Sequence, residues 1–358
     1  MSVHSPVPFF VDMPSKRSKT LNYILSAALA AILLYFSFRN VQWGDFMSAL
    51  RHCNWWFVVL AMVFGALSFW LRGWRWRLLL HSLDSTTSTL SCADGVYIGN
   101  VASMVIPRSG DVVRCFYVTA RSAVGVDGKK KASFDKVFGT VVLERAWDIF
   151  FLGVVFLGMV AFMWNRIASF FMDLVPSGGR GVSWVLILLA LAGVLFIVMS
   201  YVLRDKSKVM GKIWSFIYGI WEGVLSAVRM DGKWLFLLQT VLIWGCFWLQ
   251  AACILWSLQG IDPSHLDPAL GGAIASLGSL GMDDAFLIMM AGSFSGLVPV
   301  PGGFGAYHYV VSLALTSLYG VPQDIGILFA TLSHESQTLM QIVAGGVAYV
   351  IETLRKKN

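Results

Sequence analysis

Charge is scarce in this sequence. Only 13% of its 358 residues are Asp, Glu, Lys or Arg, against about 25% in an ordinary soluble domain. Long polar stretches are missing too, so no segment is long enough to bury a separate catalytic core. The five cysteines, Cys53, Cys92, Cys115, Cys246 and Cys253, form no Cys-x-x-Cys pair. They read as small apolar filler rather than a disulfide framework or a metal site. There is no His-x-x-x-His, no Gly-x-Ser-x-Gly and no phosphate-binding loop, so no enzyme class and no cofactor or metal is indicated. Sustained period-2 alternation is absent, which argues against a membrane β-barrel.

What is present is apolar. Hydrophobic residues make up 57% of the chain, and several runs approach the roughly 20 residues that cross a hydrocarbon core. The fold class is therefore an all-α polytopic membrane protein. Six full spans are expected, at about 20–38, 55–78, 137–163, 182–203, 234–257 and 325–351. Two further apolar regions, 90–120 and 284–318, are broken by Pro and Gly. The segments flanking each break run to about 14–17 residues, short against the ~20 of a crossing, so each region reads as a re-entrant hairpin. Two surface helices are expected at 41–52 and 208–229. In the second, Ile213, Ile217, Trp221, Val224 and Val228 share one face.

The net charge of +7 does not indicate a nucleic-acid partner, because the basic residues sit at the ends of apolar runs. With the N-terminus inside, 20 of the 27 Lys and Arg fall inside and only Arg39, Arg51, Arg166 and Arg180 outside. This is a strong positive-inside bias and puts both termini in the cytoplasm. Arg108, Arg114 and Arg145 remain within apolar regions. "LRGWRWRLLL" (71–80) reads as an interfacial anchor, and Asp283–Asp284 as solvated charge in an outside loop.

The chain repeats itself. Ser48, Ala49, Arg51, Trp56, Phe69, Trp70 and Leu71 recur at an offset of 178, as Ser226 to Leu249. "FGTVVLE" (138–144) recurs as "FATLSHE" (329–335) at an offset of 191, and Pro107-x-x-Gly110 as Pro299-x-x-Gly302 at 192. Three full spans per half is an odd number, so the halves are expected to be inverted, as in many transporters. The chain thus divides into a cytoplasmic tail (1–19), a first membrane repeat (20–170) and a second, inverted repeat (171–358).

The polar residues inside this apolar chain are the candidate site. Pro107 can end one half-helix and start the next. Unpaired backbone N–H groups there, with Arg108 and Arg114 beside Gly110 and Asp111, suit a phosphate. The same residues also fit a cytoplasmic loop that obeys the positive-inside rule. Glu144 and Asp148, four apart, share a helix face next to Arg145. They fit either an internal ion-pair network or a cationic headgroup. Pro301, Gly302, Gly303 and Gly305 suit a backbone-lined tip. His308, His334 and Glu335 fit either proton coupling or plain interhelical hydrogen bonds. His334 and Glu335, being adjacent, are expected to point in different directions.

Three of these motifs together resemble the transmembrane region of lysylphosphatidylglycerol synthases. Arg108-Ser-Gly110-Asp111-Val-Val-Arg114 is similar to that family's R-x-G-[ED]-x-x-R, and Glu144-Arg145-Ala-Trp-Asp148 to its E-R-x-x-D. Pro299-Val-Pro301-Gly302-Gly303-Phe-Gly305 is similar to its P-x-P-G-G-x-G. The resemblance covers about 20–351 and implies lipid translocation between leaflets of a cell's inner membrane. It implies membrane lipids with an anionic headgroup as partners, and is compatible with a transferase partner or a homo-oligomer. The sequence shows no aminoacyl-transferase domain, so a lysyl lipid is not the implied product. His308 stands where the family usually has Glu, and His334 where it often has Arg.

Overall fold

The computed structural model describes residues 16–107, 109–124, 130–164 and 195–357. Helix dominates, and among the described residues the extended pairing is one isolated bridge, Val124 with Lys130. The helices are α1 (Lys16–Phe38), α2 (Trp43–His52), α3 (Trp55–Leu80), α4 (Thr89–Val105), α5 (Ser109–Arg121) and α6 (Phe134–Phe162). After them come α7 (Lys208–Arg229), α8 (Lys233–Gln259), α9 (Pro268–Ala275), α10 (Met282–Ser295), α11 (Ala306–Tyr319) and α12 (Gln323–Lys357). Of the expected span 182–203, residues 195–202 are helical and 182–194 lie outside the described residues.

Local chemistry sets the helix starts. Asn54 caps α3, its side chain accepting from the Trp56 N–H at 3.1 Å. Ser88 caps α4 in the same way through the Ser91 N–H. The exposed surface is rich in large apolar side chains: Leu157, Phe162, Val343 and Val350 are all exposed. Water would penalise so broad an apolar surface, whereas lipid tails cover it without cost. By length and composition, three described helices can cross a membrane, α3, α6 and α8, or up to five if two bent pairs each count as one span. The bends are 87° between α1 and α2, and 101° between α9, with the turn that follows it, and α10. This is a multi-pass membrane protein.

Helices α3 and α8 pack along each other through the centre. Each broken region is a pair of short helices folded back together. The 17-residue α4 lies on the 13-residue α5, and α10 lies on α11, each of 14 residues. Glycine permits the first approach: a Cβ on Gly99 would sit 2.6 Å from the Gly110 carbonyl oxygen. Helix α7 packs on α6 through Gly223, Val224 and Ala227. Of the residues expected to share one apolar face of this surface helix, Val224 is buried, while Trp221 and Val228 are exposed, as fits a helix with one side toward lipid.

Two readings of the sequence need correction. Asp284 is buried rather than solvated, and its Oδ2 accepts from the Gly281 N–H at 2.7 Å at the start of α10. The arginines of 71–80 are not all interfacial anchors, because Arg75 points inward and has no exposed surface. All five cysteines are free and buried, consistent with filler.

Candidate functional site

Pro107 forces the break that places the first polar group. The residue before it, Ile106, is extended, with φ −122° and ψ 117°, so α4 ends there. Helix α5 then starts at Ser109 and points Asp111 and Arg114 toward α6. One backbone donor at this new helix start is already used, since the Gly110 N–H donates to Ser103 Oγ at 2.9 Å. Arg108 lies outside the described residues.

Helix α6 supplies the matching carboxylates. Glu144, almost wholly enclosed, accepts from Arg75 Nη2 at 3.1 Å and from Arg114 Nη1 at 2.7 Å. One turn later Asp148 accepts from Arg75 Nη2 at 2.6 Å and from Arg72 Nη2 at 3.3 Å. The shared face expected of Glu144 and Asp148 is therefore real, and Arg75 spans it. Asp111 holds two arginines, Arg114 at 3.0 Å and Arg145 in a two-toothed contact at 2.8 and 3.2 Å. Arg75 also donates to Thr240 Oγ1 on α8 at 3.1 Å and lies 5.3 Å from the centre of the Phe236 ring. Arg114 lies 4.8 Å from that of Trp76. Four arginines thus meet three carboxylates, leaving one positive charge in excess. Arg145 has the most exposed side chain of the group, at 45%.

The second polar group lies at the tip between α10 and α11. Pro301–Gly303 forms a single 3-10 turn, and Gly302, Gly303 and Gly305 have φ of +57°, +82° and +78°. These backbone conformations suit glycine. His334 on α12 meets the Gly302 carbonyl through Nε2 at 3.0 Å. Its Nδ1 lies 3.2 Å from Glu335 Oε1, which in turn is 3.7 Å from His308 Nε2. Adjacent residues on a helix would be expected to diverge. Here the long Glu335 side chain bends back, so His334 and Glu335 converge.

The two groups remain separate, but their tips touch. A Cβ on Gly302 would lie 3.5 Å from the Met104 Cα at the end of α4. Beside this contact is a cavity of about 390 Å³ lined by Asn100, Ser103, Gln250, Gly302, His334 and Gln337 among others. A narrower pocket is lined by Arg72, Asp111, Arg114 and Arg145, and shares Asn100 and Ser103 with the cavity. The Asn100 side-chain nitrogen is buried there with no hydrogen-bond partner among the described residues.

Of the residues singled out in the sequence, Gly110, Asp111, Arg114, Glu144, Arg145 and Asp148 fall in or against the first group. Pro301, Gly302, Gly303, Gly305, His308, His334 and Glu335 fall at the second. Sequence reasoning missed the roles of Arg72 and Arg75 because their position near the end of α3 looked interfacial. A signal was available: Arg72 and Arg75 are three apart and so share a helix face.

Comparison with known proteins agrees with a multi-pass membrane protein. Residues 23–345 match the lysylphosphatidylglycerol synthase TM region. The chain is also 24% identical over 344 residues to "Glycosyltransferase AglD" of Haloferax volcanii, an alignment covering 89% of this chain and 51% of that protein. The chain thus spans about half the length of that relative. No solved structure matches. With nearly the whole described membrane portion matched, the chain belongs to the lysylphosphatidylglycerol synthase transmembrane-region family.

Proposed function

We propose that this protein moves a lipid with an anionic headgroup between the leaflets of a cell's inner membrane. The observation that carries the reading is the cavity of about 390 Å³ at the meeting of the two hairpin tips, which shares Asn100 and Ser103 with the pocket beside the arginine group. A headgroup phosphate would sit in the cavity at the mouth of the narrower pocket, which itself has room for about one water, and face Arg145 and Arg114; Arg108 is assigned to the same headgroup from the sequence alone. Its acyl chains would stay among the exposed apolar faces. The excess positive charge of the group favours an anion. The surrounding ion pairs hold the arginines in place.

The same reading takes α4–α5 and α10–α11 as re-entrant hairpins in two inverted repeats, 20–170 and 171–358, with both termini cytoplasmic. Helix order supports it. Helix α3 begins at Trp55 and α8 at Lys233, the offset of 178 found in the sequence. Packing supports it too: α4 rests on α3 and α5 on α6, while α10 rests on α8 and α11 on α12.

The test is translocation by the purified chain in vesicles containing labelled phosphatidylglycerol or labelled phosphatidylcholine. Transfer of the anionic lipid should exceed that of the zwitterionic one. Asn100→Leu, which keeps side-chain size but makes the neck apolar, should slow it roughly tenfold, or about 1.4 kcal/mol. No transfer of either lipid, together with no lipid retained through purification, would remove the reading.

A second reading is a non-catalytic membrane subunit serving a lipid glycosyltransferase or aminoacyltransferase. It rests on the relative named a glycosyltransferase, of which this chain matches 51%. Recovery of a stable transferase partner, with inert vesicles, would favour it.

A further inference from the structure

The His308–His334–Glu335 group contains a mismatch. The His334 ring meets two oxygens, the Gly302 carbonyl at 3.0 Å through Nε2 and Glu335 Oε1 at 3.2 Å through Nδ1. Both oxygens are acceptors. A neutral imidazole carries one N–H, and the carbonyl takes it. Nδ1 then presents a lone pair directly to a carboxylate oxygen. The His308 Nε2 lies 3.7 Å from that same oxygen. Among the described residues, the ion contacts of Glu335 are these two imidazoles and include no Lys or Arg. A cation held between these three side chains would balance the carboxylate's charge.

The geometry points to a divalent transition-metal site, of the zinc class, bound by His308 Nε2, His334 Nδ1 and Glu335 Oε1. The three residues bring one ligand atom each to within 4.8 Å of one another. Bonds of about 2.0–2.2 Å in a tetrahedral site separate ligand atoms by roughly 3.3–3.5 Å. The two distances to Glu335 Oε1, 3.2 and 3.7 Å, lie on either side of that value, and the third separation is within 4.8 Å. The Gly302 carbonyl supplies the outer contact that such a histidine needs. It fixes which nitrogen carries the proton and leaves the other for the metal. Two imidazoles with one carboxylate favour zinc-class ions over magnesium or calcium. Three protein ligands leave a fourth position for water. His308 and Glu335 come from α11 and α12, so the ion would also clamp the second hairpin to the last helix. None of this depends on what the neighbouring cavity carries.

The test uses the full chain in detergent, purified without a polyhistidine tag and stripped with a chelator. Cobalt(II) is added as a spectroscopic stand-in for zinc, and bound zinc is measured by elemental analysis after dialysis. The wild type should bind one ion per chain with an intense, four-coordinate cobalt spectrum. Glu335→Gln and His308→Gln should each weaken zinc binding by more than the roughly 10–100-fold that loss of an outer partner costs. Removing His52 and His81 should leave it unchanged. If the wild type binds no cobalt or zinc, or the His308→Gln/Glu335→Gln chain binds as tightly, the site is not a metal site. The contact is then an imidazolium sharing its proton with Glu335. Because no lipid is present, failure here is separable from failure of the transport reading.

Discussion

Arg75 on α3 and Asp148 on α6 are joined at 2.6 Å, and Arg75 has no exposed surface at all. Its guanidinium also reaches Glu144 and Thr240, so one side chain ties three helices together. Losing such a group leaves Glu144 with Arg114 and Asp148 with Arg72, but removes the one arginine that bridges both carboxylates and Thr240 in the buried interior. Arg75→Met should destabilise the protein by about 3–5 kcal/mol, as removal of one partner of a buried pair does. Thermal unfolding in detergent checks this. Arg145→Met, at an exposed edge of the same network, should cost far less. Equal losses would mean that the network does not hold the helices.

Close approach at Gly99 is a second determinant. An added Cβ would meet the Gly110 carbonyl oxygen at 2.6 Å, a distance backbone atoms cannot accept. Gly99→Ala should push α4 and α5 apart and cost about 1–3 kcal/mol. Gly139 on α6 is exposed and has nothing within 4 Å of where its Cβ would be. There, Gly139→Ala should stabilise the helix by up to about 1 kcal/mol. The comparison of the two melting temperatures separates packing from helix propensity.

These elements were unevenly legible in the sequence. Helix positions follow from apolar run length, whereas the caps at Asn54 and Ser88 emerged only in the structure. The break at Pro107 follows from proline chemistry, and α4, α5, α10 and α11 lie where the two broken regions were expected. The shared face of Glu144 and Asp148 follows from helical spacing. Partner choice does not. Arg75 could not be assigned to Glu144 and Asp148 because that pairing depends on how α3 crosses α6, which no local pattern encodes. The convergence of His334 with Glu335 was hidden for a similar reason. It requires a bent side chain and a carbonyl from a distant turn.

Asp84, in the loop between α3 and α4, makes a pH-dependent contribution outside the membrane-spanning segments. Burial pushes its carboxyl pKa up. Hydrogen bonds from Ser122 and Thr86 side chains and from the Ala123 and Thr86 backbone outweigh that, and the pKa is lowered overall. A carboxyl held below its unfolded value of about 3.9 stabilises the fold fully above that pH. The stabilisation fades as pH falls toward the folded value. Asp84→Asn should therefore lower the melting temperature at pH 7, and the gap to wild type should shrink below about pH 4. A gap that is constant with pH would show that the charge on Asp84 contributes nothing.

In the transport reading proposed above, Asp111 and a headgroup phosphate would share the same arginine donors. Its two oxygens hold Arg145 in a fork and also reach Arg114. A bound phosphate must compete with this internal anion for the same donors. Asp111→Asn keeps the shape but removes one of three negative charges facing four arginines. Binding of phosphatidylglycerol in nanodiscs should then tighten roughly fivefold, equivalent to about 1 kcal/mol. Arg145→Gln should weaken it, and phosphatidylcholine binding should change little in either variant. The gain should diminish in high salt, because the pocket is partly open and its charges are screened. Native mass spectrometry of retained lipids reads all three comparisons. Weaker phosphatidylglycerol binding by a folded Asp111→Asn chain would mean that Asp111 itself contacts the headgroup, and the arginines would no longer be its primary partners.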